Sequence, residues 1–303
     1  MSNVDTIRVQ TVLVTGAGSG IGRAIALALA RAGHHVYASL RDVRGKNRDV
    51  AAELAQTAAQ ENIRLSPLEL DVLSEVGCRA AVDHVLAIHG RLDVVVNNAG
   101  MLMQGITEAF SVEQVARIVD TNALSWLRVN QAAMRRQGAG VLMYVGSTTS
   151  RLHEPFLGPY IASKVAGEAL AEIMGMEARA FGIETVILVP GAFTTGTDHF
   201  AHAETPAYHA IEGQYAELMT RTAGLGERIQ AIDSEHGLAM DVHSVGEAAR
   251  RVLDLPAGTR PSRVVIDGQC KGIEDINASH HAKQVAFLEK LGLGDLSPAP
   301  PQA

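Results

Sequence analysis

Cysteine is scarce in this 303-residue chain: only Cys78 and Cys270 occur, far apart in sequence. Two isolated thiols make neither a disulfide framework nor a metal-ligand spacing, so a reducing, cytoplasmic setting is expected. The twelve histidines do not add a metal site. His34 and His35 are adjacent in an expected helix-to-strand turn, and His280 and His281 lie near the C-terminus, in neither case with the neighbours that zinc requires. No metal is expected. Also missing is any run near the roughly 18 apolar residues of a spanning helix, and "MSNVDTIRVQ" lacks a basic stretch followed by an apolar core. Neither secretion nor a membrane span is expected. The formal charge of -7 is spread along the chain without a basic run, which argues against nucleic acid as a partner.

What the chain does have is the composition of a globular protein, 47% hydrophobic and 19% charged, with 29 glycines and 10 prolines. Short apolar runs alternate with segments of helical period, the pattern of repeated βα units. "TVLVTG", "HVYASL", "RLSPLEL", "LDVVVNN", "GVLMYVGS", "IETVILVPG" and "SRVVIDG" read as seven strands. Right-handed crossovers then give a Rossmann-type, doubly wound α/β fold with a parallel sheet flanked by helices. Pro67 puts the third strand near a sheet edge. The expected organisation is one domain over 1–270, a lid over about 191–240, and a tail over 271–303 with a weak helix near Ala282 to Leu291 and a disordered end.

"TGAGSGIG" (15–22) follows a strand and opens a helix. Glycines let the main chain turn tightly against a pyrophosphate, and the helix N-terminus offers free N–H groups. Alone, such a turn is a weak nucleotide-binding signal. "PYIASK" (159–164) places Tyr160 and Lys164 four apart on one helix face, which by itself is commonly a surface pair. For the phenol to act as a base near neutral pH, its pKa must fall from ~10 by about 3 units, or ~4 kcal/mol. An ammonium roughly 5 Å away supplies ~3 kcal/mol at an effective dielectric of ~20.

Taken in order, "TGAGSGIG", "NNAG" (97–100), Asn122, Ser147, "YIASK" and "PGAFTT" (190–195) resemble the short-chain dehydrogenase/reductase family over about residues 8–268, and more narrowly its 17β-hydroxysteroid and retinol dehydrogenase branch. The resemblance implies a carbonyl/alcohol oxidoreductase using a nicotinamide cofactor. Tyr160 is then the general acid/base and Lys164 its partner, which also holds the nicotinamide ribose. Ser147 orients the substrate oxygen, and Asn122 anchors a water of the proton relay. Gly16, Gly18, Ser19, Gly20, Ile21 and Gly22 would hold the pyrophosphate. Asn98, Ala99 and Gly100 would flank the adenosine ribose, Asp71 and Val72 the adenine. Pro190, Gly191, Phe193 and Thr194 or Thr195 would close over the nicotinamide end.

Cofactor choice turns on "VYASLRD". Aligned by the end of the second strand, the ribose-binding acid of NAD-preferring relatives falls at Ser39, and Arg41 follows where a basic residue meets a 2′-phosphate. NADP(H) is therefore expected over NAD(H), with Asp42 starting the next loop or pairing with a nearby arginine. The long segment after Pro190, with Leu152, Phe156, Leu157, Phe193 and Phe200, suggests a bulky, mostly apolar substrate. His153 either borders that pocket or lies on the surface. A 3-oxoacyl thioester reductase, an epimerase or dehydratase, and a non-catalytic NADP sensor remain alternatives. The helices carrying Asn122 and Tyr160, with Leu124, Leu127 and Leu170, resemble the family's oligomer interface and imply a homodimer or homotetramer.

Overall fold

The computed structural model describes residues 8–130, 138–236 and 241–302. The first seven residues of the N-terminal stretch discussed above and residues 237–240 of the expected lid lie outside the described residues. The seven apolar runs form β1 (Thr11–Val14), β2 (His35–Leu40), β3 (Leu65–Glu69), β4 (Val94–Asn97), β5 (Gly140–Val145), β6 (Ile183–Pro190) and β7 (Arg263–Ile266). All pairings are parallel, in the order β3-β2-β1-β4-β5-β6-β7. β3 is the outer strand on one side, as Pro67 requires of a residue without an N–H to donate. The order reverses between β1 and β4, so the crevice for a ligand opens beyond their carboxyl ends.

Strand residues alternate between two cores because successive side chains point to opposite faces. Val12, Val14, Val94 and Val96 pack under α1 (Gly20–Arg31), α2 (Arg48–Glu61) and α10 (His243–Asp254). Leu13, Val95, Leu142 and Tyr144 pack under α3 (Glu75–His89), α5 (Ser125–Asn130) and α6 (Gly158–Ala178). Helices α1 and α10 meet main chain to main chain at Gly246, where a Cβ would lie 2.6 Å from the Ala24 carbonyl oxygen. Between α4 (Val112–Val119) and α5 the chain makes a π-helical turn, Asp120–Leu124, which carries Asn122 to the crevice.

The expected lid over about 191–240 holds three short helices: α7 (His209–Gln214), α8 (Ala216–Met219) and α9 (Leu225–Glu235). Gly224, at φ +66, breaks the run before α9. The tail is ordered rather than disordered. It forms the 18-residue helix α11 (Ile273–Lys290) and then runs beside β7, where the Gln302 N–H donates to Arg263 O at 2.9 Å and the Ser262 N–H to Pro300 O at 3.0 Å. The Arg179 guanidinium also donates to Ser297 O. Main-chain pairing of this kind leaves no pattern in side chains, which is why composition misled.

Candidate active site

The glycine turn is built for close approach of main chain. Gly16 (φ +63) and Gly20 (φ +52) take left-handed conformations, and a Cβ on Gly16 would sit 2.8 Å from Ala99 Cα. A Cβ on Gly22 would run into the Asn98 amide and lie 2.5 Å from the Gly16 carbonyl oxygen. Asn98 stitches the end of β4 to this turn: its Nδ2 donates to Thr15 O (2.9 Å) and Gly16 O (3.1 Å), and its N–H donates to Thr15 Oγ1 (2.9 Å). Ser19 caps α1 with extended backbone and makes no side-chain cap bond, leaving the first-turn N–H groups open toward the crevice. The residues fit a pyrophosphate: glycines let the main chain of the turn pack against Ala99, Leu40, Thr197 and Asn98 where any side chain would collide, and the turn leads into the N-terminus of α1.

The end of β2 corrects the cofactor-choice reading by one residue. Ser39 is fully buried with its hydroxyl unpartnered, while its carbonyl accepts the Ala17 N–H at 2.9 Å. Leu40, on the opposite face, is the side chain that reaches the glycine turn: a Cβ on Gly18 would lie 2.6 Å from Leu40 Cδ2. A shift of one position along a strand exchanges the faces, so Leu40, not Ser39, lies at the glycine turn. Arg41 and Asp42 are exposed just beyond. Asp42, at φ +52, starts the loop, its carboxylate accepting the Lys46 N–H at 2.7 Å. Glu69 braces the same loop by accepting from Asp42 N–H (2.6 Å) and Val43 N–H (2.7 Å). Asp71 takes the local role of a turn residue, accepting the Leu73 N–H at 3.0 Å, with Val72 buried beside it.

Ser147, Tyr160, Lys164 and Asn122 converge at the carboxyl end of β5. Lys164 lies along α6 with its Nζ 5.7 Å from the Tyr160 ring centroid, donating to Val145 O at 2.8 Å. The Ser147 hydroxyl is held by the Thr149 Oγ1 at 2.8 Å and accepts the Thr149 N–H at 3.2 Å. Burial pushes the Tyr160 phenol up to about 12, against a hydrogen bond with Ser147 that lowers it, while Glu168 and Glu154 raise it further. Burial pulls Lys164 down to about 8, and Glu168 works to raise it again.

The Asn122 side chain is committed elsewhere. Its Oδ1 accepts the Met101 N–H at 2.8 Å, and its Nδ2 donates to Met101 O and to Ser163 Oγ, both at 2.9 Å. The Asn122 carbonyl faces α6, 3.1 Å from where a Gly167 Cβ would be.

The segment after β6 is only partly as expected. Pro190 ends the strand, and Gly191 has no room for a Cβ against Asp267 and Gln269. Phe193 is buried in the core with Val242 and Val245, so it faces away from the substrate crevice. Thr194 Oγ1 accepts from Gln230 at 3.1 Å and Thr195 is exposed. Thr197 is the residue that reaches the turn, its Oγ1 3.0 Å from where a Gly20 Cβ would be. Sequence reading also passed over His199, whose ring lies edge-on to Tyr160 at 5.9 Å between centroids. Burial, and then Lys164, pull its imidazole down to about 4. His153 is exposed. Leu102, Leu157 and Ile161 form an apolar wall against Tyr160; Leu152 and Phe200 are more exposed, and Phe156 holds a strained φ of +71. Among the described residues no group of three His, Cys, Asp or Glu is placed to hold a metal, and no helix is long and apolar enough to cross a membrane.

A family model described as short chain dehydrogenase matches residues 10–205. The chain is similar to 3-ketodihydrosphingosine reductase of Bacteroides thetaiotaomicron, 32% identical over 191 residues that make up 62% of this chain and 65% of that protein. It is also similar to 17-beta-hydroxysteroid dehydrogenase type 1 of Homo sapiens, 35% identical over 190 residues, 61% of this chain and 57% of the other. In both cases the match spans less than two thirds of the relative's length. Among solved structures, a short-chain dehydrogenase from Streptomyces avermitilis is similar along nearly the whole chain, with a TM-score of 0.72 at 27% identity, covering 97% of this chain and 99% of that one.

Proposed function

Because the chain belongs to the short-chain dehydrogenase/reductase family, we propose that it interconverts a carbonyl and a secondary alcohol on a bulky, mostly apolar substrate, using NADP(H). The observation that carries this reading is the meeting of Ser147, Tyr160 and Lys164 at the crevice mouth beside the glycine turn. Tyr160 exchanges a proton with the substrate oxygen, and Ser147 orients that oxygen. Lys164 keeps positive charge under the phenol. The nicotinamide cofactor, which Gly16 to Gly22, Lys164 and the segment from Pro190 to Thr197 would hold, would supply or accept the hydride and would add positive charge when oxidised. The Asn122 carbonyl, whose amide side chain clamps Met101 and α6, is the group that would anchor a water behind Lys164.

NADP(H) preference rests on apolar Leu40 where an acid would repel a 2′-phosphate, with exposed Arg41 next to it. The apolar wall of Leu102, Leu157 and Ile161 supports the substrate class. The intact catalytic group argues against a sensor that binds without turnover. Ala162, Val165, Ala169 and Ile173 line one exposed face of α6, and Leu124 is exposed on the preceding turn, which supports a homodimer or homotetramer through these helices. Two free cysteines fit a cytoplasmic setting. A panel of apolar ketones and alcohols tested with NADPH and NADH checks the reading. Turnover faster with NADPH is expected, and cofactor binding with no turnover of any substrate would refute it.

A further inference from the structure

One buried pair lies behind the catalytic residues without belonging to them. Glu168 follows Lys164 by one helical turn, so Tyr160, Lys164 and Glu168 share a face of α6. It is only 1% exposed, unusual for a carboxylate. Its Oε1 accepts the Ser147 N–H at 3.0 Å, and a Cβ on Gly146 would run into this carboxylate. Its Oε2 accepts from Arg263 Nη1 at 2.8 Å, and Arg263 is 5% exposed at the start of β7. Arg263 also grips Glu172 at 2.7 and 3.1 Å, and Glu172 accepts from Arg151 at 3.1 Å in the loop that follows Ser147. A lone buried carboxylate would be costly, whereas this one is fully paired.

We propose that Glu168 and Arg263 are a positioning pair: the carboxylate fixes the main chain of Ser147 and, balanced by Arg263, sets the charge that Tyr160 and Lys164 experience. This rests on Tyr160 being the acid/base of the proposed reaction. Around the pair, α6 contributes Lys164, Tyr160 and Glu172, and the loop after β5 contributes Arg151 and Glu154. The lid adds His199, and the segment before α11 adds Lys271, which lies 3.9 Å from Glu154. On the α4 and α5 side, Arg117 pairs with Glu204 and Arg128 with Asp120. Glu168 raises both Tyr160 and Lys164, so it helps Lys164 stay charged.

The test is the titration of Tyr160, one of five tyrosines, followed by NMR of tyrosine labelled at the ring Cζ, with and without NADP+ and assigned with Tyr160→Phe. The pH profile of kcat/KM for alcohol oxidation is recorded in parallel. Glu168→Gln keeps an acceptor for Ser147 but removes the charge, so the Tyr160 midpoint is expected to fall by roughly one pH unit, the effect of one charge about 12 Å along the helix at an effective dielectric of ~20. In Glu168→Gln/Arg263→Met, which buries no unpaired carboxylate at this position, the midpoint is expected to rise back toward wild type. An unmoved midpoint in Glu168→Gln, or a double variant at or below the Glu168→Gln value, overturns the proposal. Because the NMR titration needs no turnover, an inactive chain with these shifts would refute the oxidoreductase reading alone, and an active chain without them would refute the pair alone.

Discussion

The catalytic rim and the lid that faces it are built in opposite ways. At the rim, nearly every polar group is tied to main chain: Asn98 to Thr15 and Gly16, Asn122 to Met101, Lys164 to Val145, Glu168 to Ser147. In the lid, α7 and α8 bury no side chain; the segment before them is tied to the 102–110 stretch and to α4, through Glu204 with Leu102 and Gln104 and through Gln114 with Thr205 and Ala207, while Thr197 and His199 reach the glycine turn and Tyr160. The reacting groups thus sit on rigid elements, while the surface that meets the substrate sits on a segment with little core of its own.

The comparison is sharpened most by Tyr160→Phe. If the rim carries the chemistry, this variant loses turnover by about a thousandfold while cofactor binding and thermal midpoint stay near wild type. A residual rate within tenfold would move the acid/base elsewhere. Gly22→Ala comes next: the new methyl meets the Asn98 amide and Gly16 O, so cofactor affinity measured by fluorescence titration should drop roughly ten- to a hundredfold, about 1–3 kcal/mol of misfit. At the exposed edge of the rim, Arg41→Ala should shrink the NADPH preference about tenfold, and an unchanged NADPH/NADH ratio would remove Arg41 from the assignment.

The smallest effect belongs to the lid. His199 is held near 4 in the folded chain against an ordinary 6.5, so as pH falls from about 6.5 toward 4 the unfolded chain takes up a proton that the folded chain does not. Stability is lost over that window. His199→Gln should lose less, by about 1 kcal/mol at pH 5.8, in urea unfolding measured at pH 7.5 and 5.8. Equal losses in the two proteins would mean that the imidazole is not shielded.

The strands were legible because all but the outer β3 are apolar runs buried on both faces, and the glycine turn because its spacing follows one of them. Tyr160 and Lys164 were legible because helical spacing alone brings them together. What escaped was information held between distant segments. Glu168 and Arg263 are 95 residues apart and neither sits in a motif. Thr197 and His199 reach the site only through the fold of an irregular segment. Ser39 was named where Leu40 lies at the glycine turn, because one residue along a strand exchanges the faces.

The tail that runs beside β7 changes how the sheet meets its surroundings. An outermost strand presents unpaired N–H and C=O groups that can recruit a strand from another molecule. Here that margin is taken by the chain's own C-terminal segment, and Pro298, Pro300 and Pro301 in it have no N–H to offer a newcomer. Shortening the chain before Ser297 would therefore cost colloidal stability more than catalysis, exposing an adhesive margin at the far side from the glycine turn.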